Sequence, residues 1–337
     1  MKKHAIIPIF ISHRGCPNDC VFCNQKKITA RQGDVTESDV RNTIKTYLST
    51  LKDMNLETIE LSFFGGSFTG IPIEEQNKFL AIAYEYKQRG IIDKIHMSTR
   101  PDYIDRQILD NLRKYSVDVI ELGVQSFDDA VLAKSNRGHS AQAVYDACSL
   151  IKEYGFTLGI QLMIGLPGDS LQSCIYSANE TVKIAPEIAR LYPTVIIEDT
   201  ELLEMYRRGE YMPLTLDDAV YVTKQMYKIL DDAGINIIRV GLKSTDIINE
   251  GGSITGGTYH PAFRQLVESS IARDEIEAQL AGKTGSITVI ANPGDISNAA
   301  GHNGCNRKYF AREYPGLHIS FKADETLDRN KYIVIQY

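Results

Sequence analysis

The sequence contains no apolar run that approaches the roughly 18 residues of a membrane-spanning helix, which excludes a span of that kind. It has no block of like charge either. Lys and Arg number 37 against 43 Asp and Glu, the formal charge is -6, and the two signs are mixed along the chain. A global field drawing the protein to nucleic acid or to anionic membrane is therefore excluded, and any nucleic-acid contact has to be local. Long internal repeats are absent as well. Cysteines are few, six in 337 residues. Three fall close together, while Cys148, Cys174 and Cys305 stand alone, a usage that suits a reducing compartment. The Met1-Lys-Lys-His start mimics the basic region of a signal peptide, but the apolar run behind it, Ala5 to Ile11, is short and lacks a small-residue cleavage site. It reads as a strand, and the expectation is a soluble, cytoplasmic protein.

What is present begins with Cys16-Pro-Asn-Asp-Cys20-Val-Phe-Cys23, a C-x3-C-x2-C loop opening just beyond that first strand. Three thiolates on one loop can hold three irons of a cubane [4Fe-4S] cluster, since iron prefers sulfur and such clusters are normally held by four cysteines. The fourth iron would then be open to a ligand. Two other readings of the loop stand beside this one: a zinc knuckle with His13 as a fourth ligand, and a disulfide with a spare thiol.

The rest of the chain alternates. Thr36-Glu-Ser-Asp39 offers an N-cap and capping-box acid for a helix to about Leu51. Leu56 to Phe64 reads as a strand ending at Gly65-Gly66, Pro72 starts a helix to about Arg89, Lys94 to Thr99 is a strand and Asp102 to Tyr115 a helix. Strands over Val117 to Val124, Thr157 to Ile164, Ile188 to Val195 and Ile235 to Val240 alternate with helices over 128–134, 141–154, 170–184, 200–207 and 216–233. Such alternation means right-handed βαβ units on a parallel sheet. Six or seven units in 240 residues predict an α/β fold, a partial (β/α)6 barrel over residues 1–245, with its chemistry at the strand C-terminal ends. The cysteine loop, Gly65-Gly66, Ser98-Thr99-Arg100, Gln125 and Gly165-Leu-Pro167 all follow strands, so one mouth gathers them.

Near Asp246 the rhythm stops. Residues 246–282 read as a Gly- and Thr-rich loop, Asn249 to His260, followed by a helical linker from Pro261 to Leu280. Residues 283–337 form a unit of different character: strand, helix, Gly301-His-Asn-Gly304, helix and two strands. That order is the core arrangement of KH modules, whose G-x-x-G loop clamps nucleic-acid backbone. Gly301 and Gly304 alone can be mere helix caps. Arg307, Lys308 and Arg312 on the next helix fall near where a phosphate would sit.

Pro101 and Asp102 are accounted for as a helix start. Arg100 is not, being a permanent cation at the predicted mouth. Arg137 reads either as a solvated charge or as a bidentate partner for a carboxylate.

Taken in order, Cys16 to Cys23 with Phe22 before the third cysteine, Gly65-Gly66-Ser67, Ser98-Thr-Arg-Pro-Asp102, Glu121-Leu-Gly-Val-Gln-Ser126, Asn136-Arg-Gly-His139, Gly165-Leu-Pro-Gly168 and Leu191-Tyr-Pro-Thr194 resemble the radical S-adenosylmethionine (SAM) domain of the Elongator catalytic subunit family. The likeness covers roughly residues 5 to 245, with a more distant one to oxygen-independent coproporphyrinogen dehydrogenase. It implies that Cys16, Cys20 and Cys23 bind a [4Fe-4S] cluster, so that His13 becomes a loop residue. It also implies that Gly65, Gly66 and Ser67 receive the SAM methionine, that Gln125 and Arg137 contact its carboxylate and ribose end, that Gln161 is a ribose partner, and that Phe22 lies by the adenine. The implied chemistry is reductive cleavage of SAM to a 5′-deoxyadenosyl radical, with the electron supplied by a flavodoxin or ferredoxin.

The Elongator subunit also carries an acetyltransferase-like domain and a basic N-terminal extension for tRNA. This sequence shows neither, so the radical chemistry is expected to carry over and the overall reaction is not. The expected substrate is RNA, such as tRNA, presented by the KH-like unit through Gly301, Gly304, Arg307 and Lys308. The alternatives are a small-molecule, peptide or tetrapyrrole substrate, and a non-catalytic cluster- or haem-binding protein.

Overall fold

In this computed structural model, which describes residues 4–11, 16, 20–24, 35–242 and 253–336, the chain forms three sheets. His13, most of the loop expected over 24–34 and the boundary expected at 245/246 lie outside the described residues.

The main sheet has seven parallel strands. They are β1 (His4–Ile11), β2 (Thr58–Gly65), β3 (Lys94–Thr99), β4 (Val119–Gln125), β5 (Thr157–Ile164), β6 (Ile188–Pro193) and β8 (Asn236–Val240), in the order β1-β2-β3-β4-β5-β6-β8. Sequence order and spatial order coincide, so each crossover lays its strand directly beside the one before it. Between them run α1 (Glu37–Leu51), α2 (Ile73–Gln88), α3 (Arg106–Lys114), α4 (Asp129–Lys134), α5 (Ala141–Glu153), α6 (Leu171–Ile184), α7 (Glu201–Arg207) and α8 (Leu216–Asp232). Six strand–helix units thus run onto a seventh strand, and β1 and β8 are the two edges of an unclosed barrel.

Period-2 alternation sets the two faces of each strand. Leu61 and Phe63, Ile95 and Met97, Ile120 and Leu122, and Leu158 and Ile160 are fully buried against the helices. Helix starts follow capping chemistry. Thr36 and Asp39 form the expected capping box, and Ser170 and Ser173 form a second one.

Three local expectations are corrected. The helix expected from Asp102 begins instead at Arg106, because the Asp105 side chain accepts from the Ile108 amide, and Pro101–Tyr103 is a separate 3-10 turn. The strand expected over Ile188 to Val195 breaks at Thr194, leaving β7 (Val195–Ile197) as its own element. Within the segment read as a Gly-rich loop, β9 (Ile254–Gly257) pairs antiparallel with β7.

The last unit is built on α9 (Phe263–Glu277), β10 (Gly285–Ala291), α10 (Ile296–Ala300), α11 (Cys305–Glu313), β11 (Leu317–Ala323) and β12 (Tyr332–Gln336). β10 lies between a parallel β11 and an antiparallel β12. The helix read as a linker is a shared wall. Phe263, Val267 and Ile271 of α9 belong to the barrel core, while Ala272 and Ile276 of the same helix, with Leu280 just beyond it, belong to the core of the small sheet.

Candidate active site at the strand ends

The cysteine loop leaves β1 and is held from two sides. The Val21 amide donates to the Ser135 carbonyl (3.1 Å), the Leu202 amide donates to the Val21 carbonyl (2.7 Å), and the Asn24 side chain donates to the Glu198 carbonyl (3.0 Å). Val21 is buried in a small apolar cluster with Ile196, Leu202, Leu203 and Tyr211, against which Phe22 packs. The β7–α7 segment therefore seats the loop, and Phe22, expected beside an adenine, is one of its anchors.

Cys20 is buried, Cys16 and Cys23 are half-buried, and the Cys23 amide donates to the Cys20 carbonyl to tighten the turn. None of the six cysteines is in a disulfide. Among the described residues no three His, Cys, Asp or Glu side chains close into a metal-holding group, and residues 17–19 lie outside them. The fit to an anionic iron–sulfur cluster rests on the donor chemistry and on the cations around it. Three thiols share one loop, and beside them lie buried guanidinium nitrogens without hydrogen-bond partners among the described residues.

At the end of β2, Gly65 has φ +108°, and a Cβ there would lie 3.0 Å from the Ile11 carbonyl oxygen. Glycine lets β1 and β2 stay in register where the cysteine loop departs. Ser67 is buried behind it, and the turn is fixed by Thr69, hydroxyl to hydroxyl with Thr99 at 2.6 Å, and by the buried Gln76 amide donating to the Thr69 and Ile71 carbonyls.

At the end of β4 the ladder bulges between Gly123 and Gln125, and Gln125 is held at φ +73°. A non-glycine residue kept in that region marks a position the surroundings over-determine. Gln161 of β5 donates to the Gln125 side-chain oxygen at 3.3 Å, so the two glutamines read from sequence meet. Arg137 arrives from beyond α4. It is 6% exposed, its Nη1 donates to Cys20 Sγ at 3.5 Å, and its Nη2 donates to the Gly123 carbonyl.

Gly123 was not singled out by sequence reading. A Cβ there would lie 3.0 Å from Arg137 Nη2 and 3.2 Å from Gln125 Nε2, so its lack of side chain opens the path of Arg137. A glycine inside an otherwise apolar strand was the available signal.

Arg100 follows β3 and is among the largest fully buried side chains, 1% exposed. Its Nε and Nη2 donate to the two Asp102 oxygens at 2.9 and 2.8 Å. Asp102 is thus an ion-pair partner and not a helix start. Burial works against the Arg100 charge, yet the Asp102 pair and then the Cys16 and Cys20 thiols hold its pKa above the ordinary value. Two residues past Arg137, burial and then the Arg137 charge push the His139 imidazole down to about 4.

Deeper in the barrel the inward faces carry polar side chains that sequence reading also passed over. His96 Nδ1 lies 2.8 Å from Glu60, which also accepts from the Ser62 hydroxyl at 2.6 Å. Arg190 Nε donates to Glu121 at 2.5 Å, and its guanidinium lies 5.4 Å from the Phe64 ring centre. Burial alone would raise the Glu60 carboxyl, but the hydrogen bond and charge of His96, helped by Ser62, bring it down to about 2. The signal was a polar residue at every second position of otherwise apolar strands.

The model of the radical SAM superfamily matches residues 10–179, about half the chain, and that of the radical SAM C-terminal domain matches 186–273. The chain belongs to the radical SAM superfamily. Among curated relatives of this radical SAM protein, the tRNA uridine(34) acetyltransferase of Methanocaldococcus infernus is 28% identical over 265 residues, 67% of this chain and 49% of the relative. The human Elongator complex protein 3 is 27% identical over 196 residues, covering 52% of this chain and 36% of the relative. The chain spans about half the length of the first of these and a third of the second. The solved archaeal Elp3 of Methanocaldococcus infernus, lacking its first 46 residues, superposes with TM-score 0.66 at 22% identity over 81% of this chain and 64% of that one. It shares the fold of the α/β half-barrel. No helix among the described residues is long and apolar enough to cross a membrane.

Proposed function

We propose that the chain cleaves SAM reductively at a [4Fe-4S] cluster held by Cys16, Cys20 and Cys23, and directs the radical at RNA carried by its C-terminal unit. The observation that carries the first half is the meeting of Cys20, Arg137, Gln125 and Gln161 at one strand-end edge. When bound, cluster and cofactor supply a 5′-deoxyadenosyl radical that takes a hydrogen atom from substrate. The chain's residues position and enclose. Gly65, Gly66 and Ser67 offer backbone and hydroxyl to the methionine end, Gln125 and Arg137 orient carboxylate and ribose, Gln161 braces Gln125, and Phe22 holds the loop beside the adenine. The electron comes from an external reductant of the flavodoxin or ferredoxin kind.

The RNA half draws on the relatives whose names describe tRNA uridine modification and on the small sheet. Between α11 and β11 lies a cavity of about 330 Å³ lined by Arg307, Phe310, Leu317, Ile319 and Phe321. The Arg307 guanidinium lies 5.0 Å from the Phe321 ring centre, and the exposed Lys308 adds charge beside Gly301 and Gly304. Aromatic and guanidinium planes with a nearby phosphate anchor are what single-stranded RNA asks for.

Anaerobically reconstituted protein is expected to release 5′-deoxyadenosine from SAM with dithionite, and Cys20→Ala to abolish release while RNA affinity stays. Gly304→Asp should weaken RNA binding at least tenfold in anisotropy at fixed salt. Wild-type protein with a full cluster and no cleavage would overturn the reading.

A second reading is favoured by His302, which faces Gln265 of α9 at 2.9 Å and the His260 ring at 5.2 Å. There the small unit braces the barrel and the substrate is a small molecule. RNA binding that does not weaken as salt rises would favour it.

A further inference from the structure

We propose that Arg100 and Arg137 form a buried cationic wall behind the cysteine loop that sets the reduction potential of the cluster the loop holds. The inference rests on the cluster assignment above.

Burying a guanidinium costs several kcal/mol unless partners compensate it. Among the described residues Arg100 has one carboxylate partner. Asp102 takes Nε and Nη2, whereas Nη1 is buried without a hydrogen-bond partner among the described residues, and the Asp102 side chain is itself 28% exposed to solvent. After Asp102, the Cys16 and Cys20 sulfurs act on the Arg100 charge, and the Tyr103 ring centre lies 5.9 Å from its guanidinium. Arg137 completes the pattern: one nitrogen reaches Cys20 Sγ, one the Gly123 carbonyl, and Nε is buried with no hydrogen-bond partner among the described residues. His139 lies close to both arginines but is held neutral and adds no third charge.

A thiolate loop carrying a cluster gains one negative charge when the cluster takes one electron from the external reductant. Fixed positive charge and N–H donors at the ligating sulfurs favour that reduced form. Guanidinium cannot lose its proton in a protein, so the charge is permanent. The two arginines therefore make the cluster easier to reduce, and removing either makes it harder.

The test is an EPR-monitored redox titration of the full chain, reconstituted anaerobically, without SAM or RNA. Arg100→Met and Arg137→Gln are each expected to lower the reduced-to-oxidised ratio at a fixed potential at least tenfold, about 59 mV for one electron. Arg100→Lys and Arg137→Lys should shift it less than tenfold. If the neutral variants fail to load iron while the lysine variants load it, the requirement for charge stands. Unchanged potentials in neutral variants with full iron and sulfide overturn the proposal and leave the cluster assignment standing. Lysine variants that shift or lose the cluster as the neutral ones do also overturn it. A wild-type chain that binds no iron overturns the assignment beneath it.

Discussion

His139 is 7% exposed, and burial together with Arg137 holds its pKa near 4, well under the usual 6.5 of a histidine. Between those two values the unfolded chain binds a proton that the folded chain refuses, so stability falls as pH drops through that window. The full effect is up to about 3 kcal/mol. Urea midpoints measured from pH 7 to pH 4.5 should decline in the wild type and decline less in His139→Gln. Glu60 acts lower down. Its carboxyl, brought to about 2, contributes stability that is complete above its ordinary pKa of 4.5 and is lost only below it, so the two groups separate along the pH axis.

At the level of elements, the two glycines of the Gly301–Gly304 turn do different work. A Cβ on Gly301 would come within 2.5 Å of the Asn306 amide nitrogen and of Cys305 Sγ, whereas nothing lies within 4 Å of one on Gly304. Asn306 is the buried pin of this region, donating to the Ser269, Asn298 and Ala299 carbonyls. Gly301→Ala is therefore expected to destabilise the small unit by about 2–3 kcal/mol through overpacking on top of its positive φ. Gly304→Ala should cost only about 1 kcal/mol, from its left-handed backbone. Urea denaturation of the two variants measures the difference. Gly304 can thus be altered to probe RNA binding without dismantling the fold. In the sequence these glycines look alike, because what separates them is the return of Asn306 onto a helix, at Ser269, 37 residues earlier.

Across the whole molecule α9 joins two cores, and the buried Lys224 of α8 lies 2.6 Å from Asp274 of the same helix. Barrel and small sheet should unfold in one transition, with far-UV dichroism and tyrosine fluorescence coinciding. Ile276→Ala, truncated in the small core, should lower stability by about 2–5 kcal/mol, moving that common midpoint down without splitting it.

What the sequence made legible followed from local physics. Alternation placed every strand of the main sheet, capping residues placed α1, and strand ends placed Gly65 and Gln125 on one edge, while Gln161 came from the family resemblance. What it hid depended on distant partners. Asp102 reads as a helix start until Arg100 is seen to claim it, β9 as a loop until β7 pairs with it, and α9 as a linker until both its faces are covered.

The unclosed sheet has a topological consequence. A closed ring of strands can be entered only through its two openings, and a polymer must then be threaded by a free end. With β1 and β8 as unjoined edges, the described strands leave a seam along the lumen. Each of those two edges carries backbone groups that no neighbouring strand among the described ones takes up.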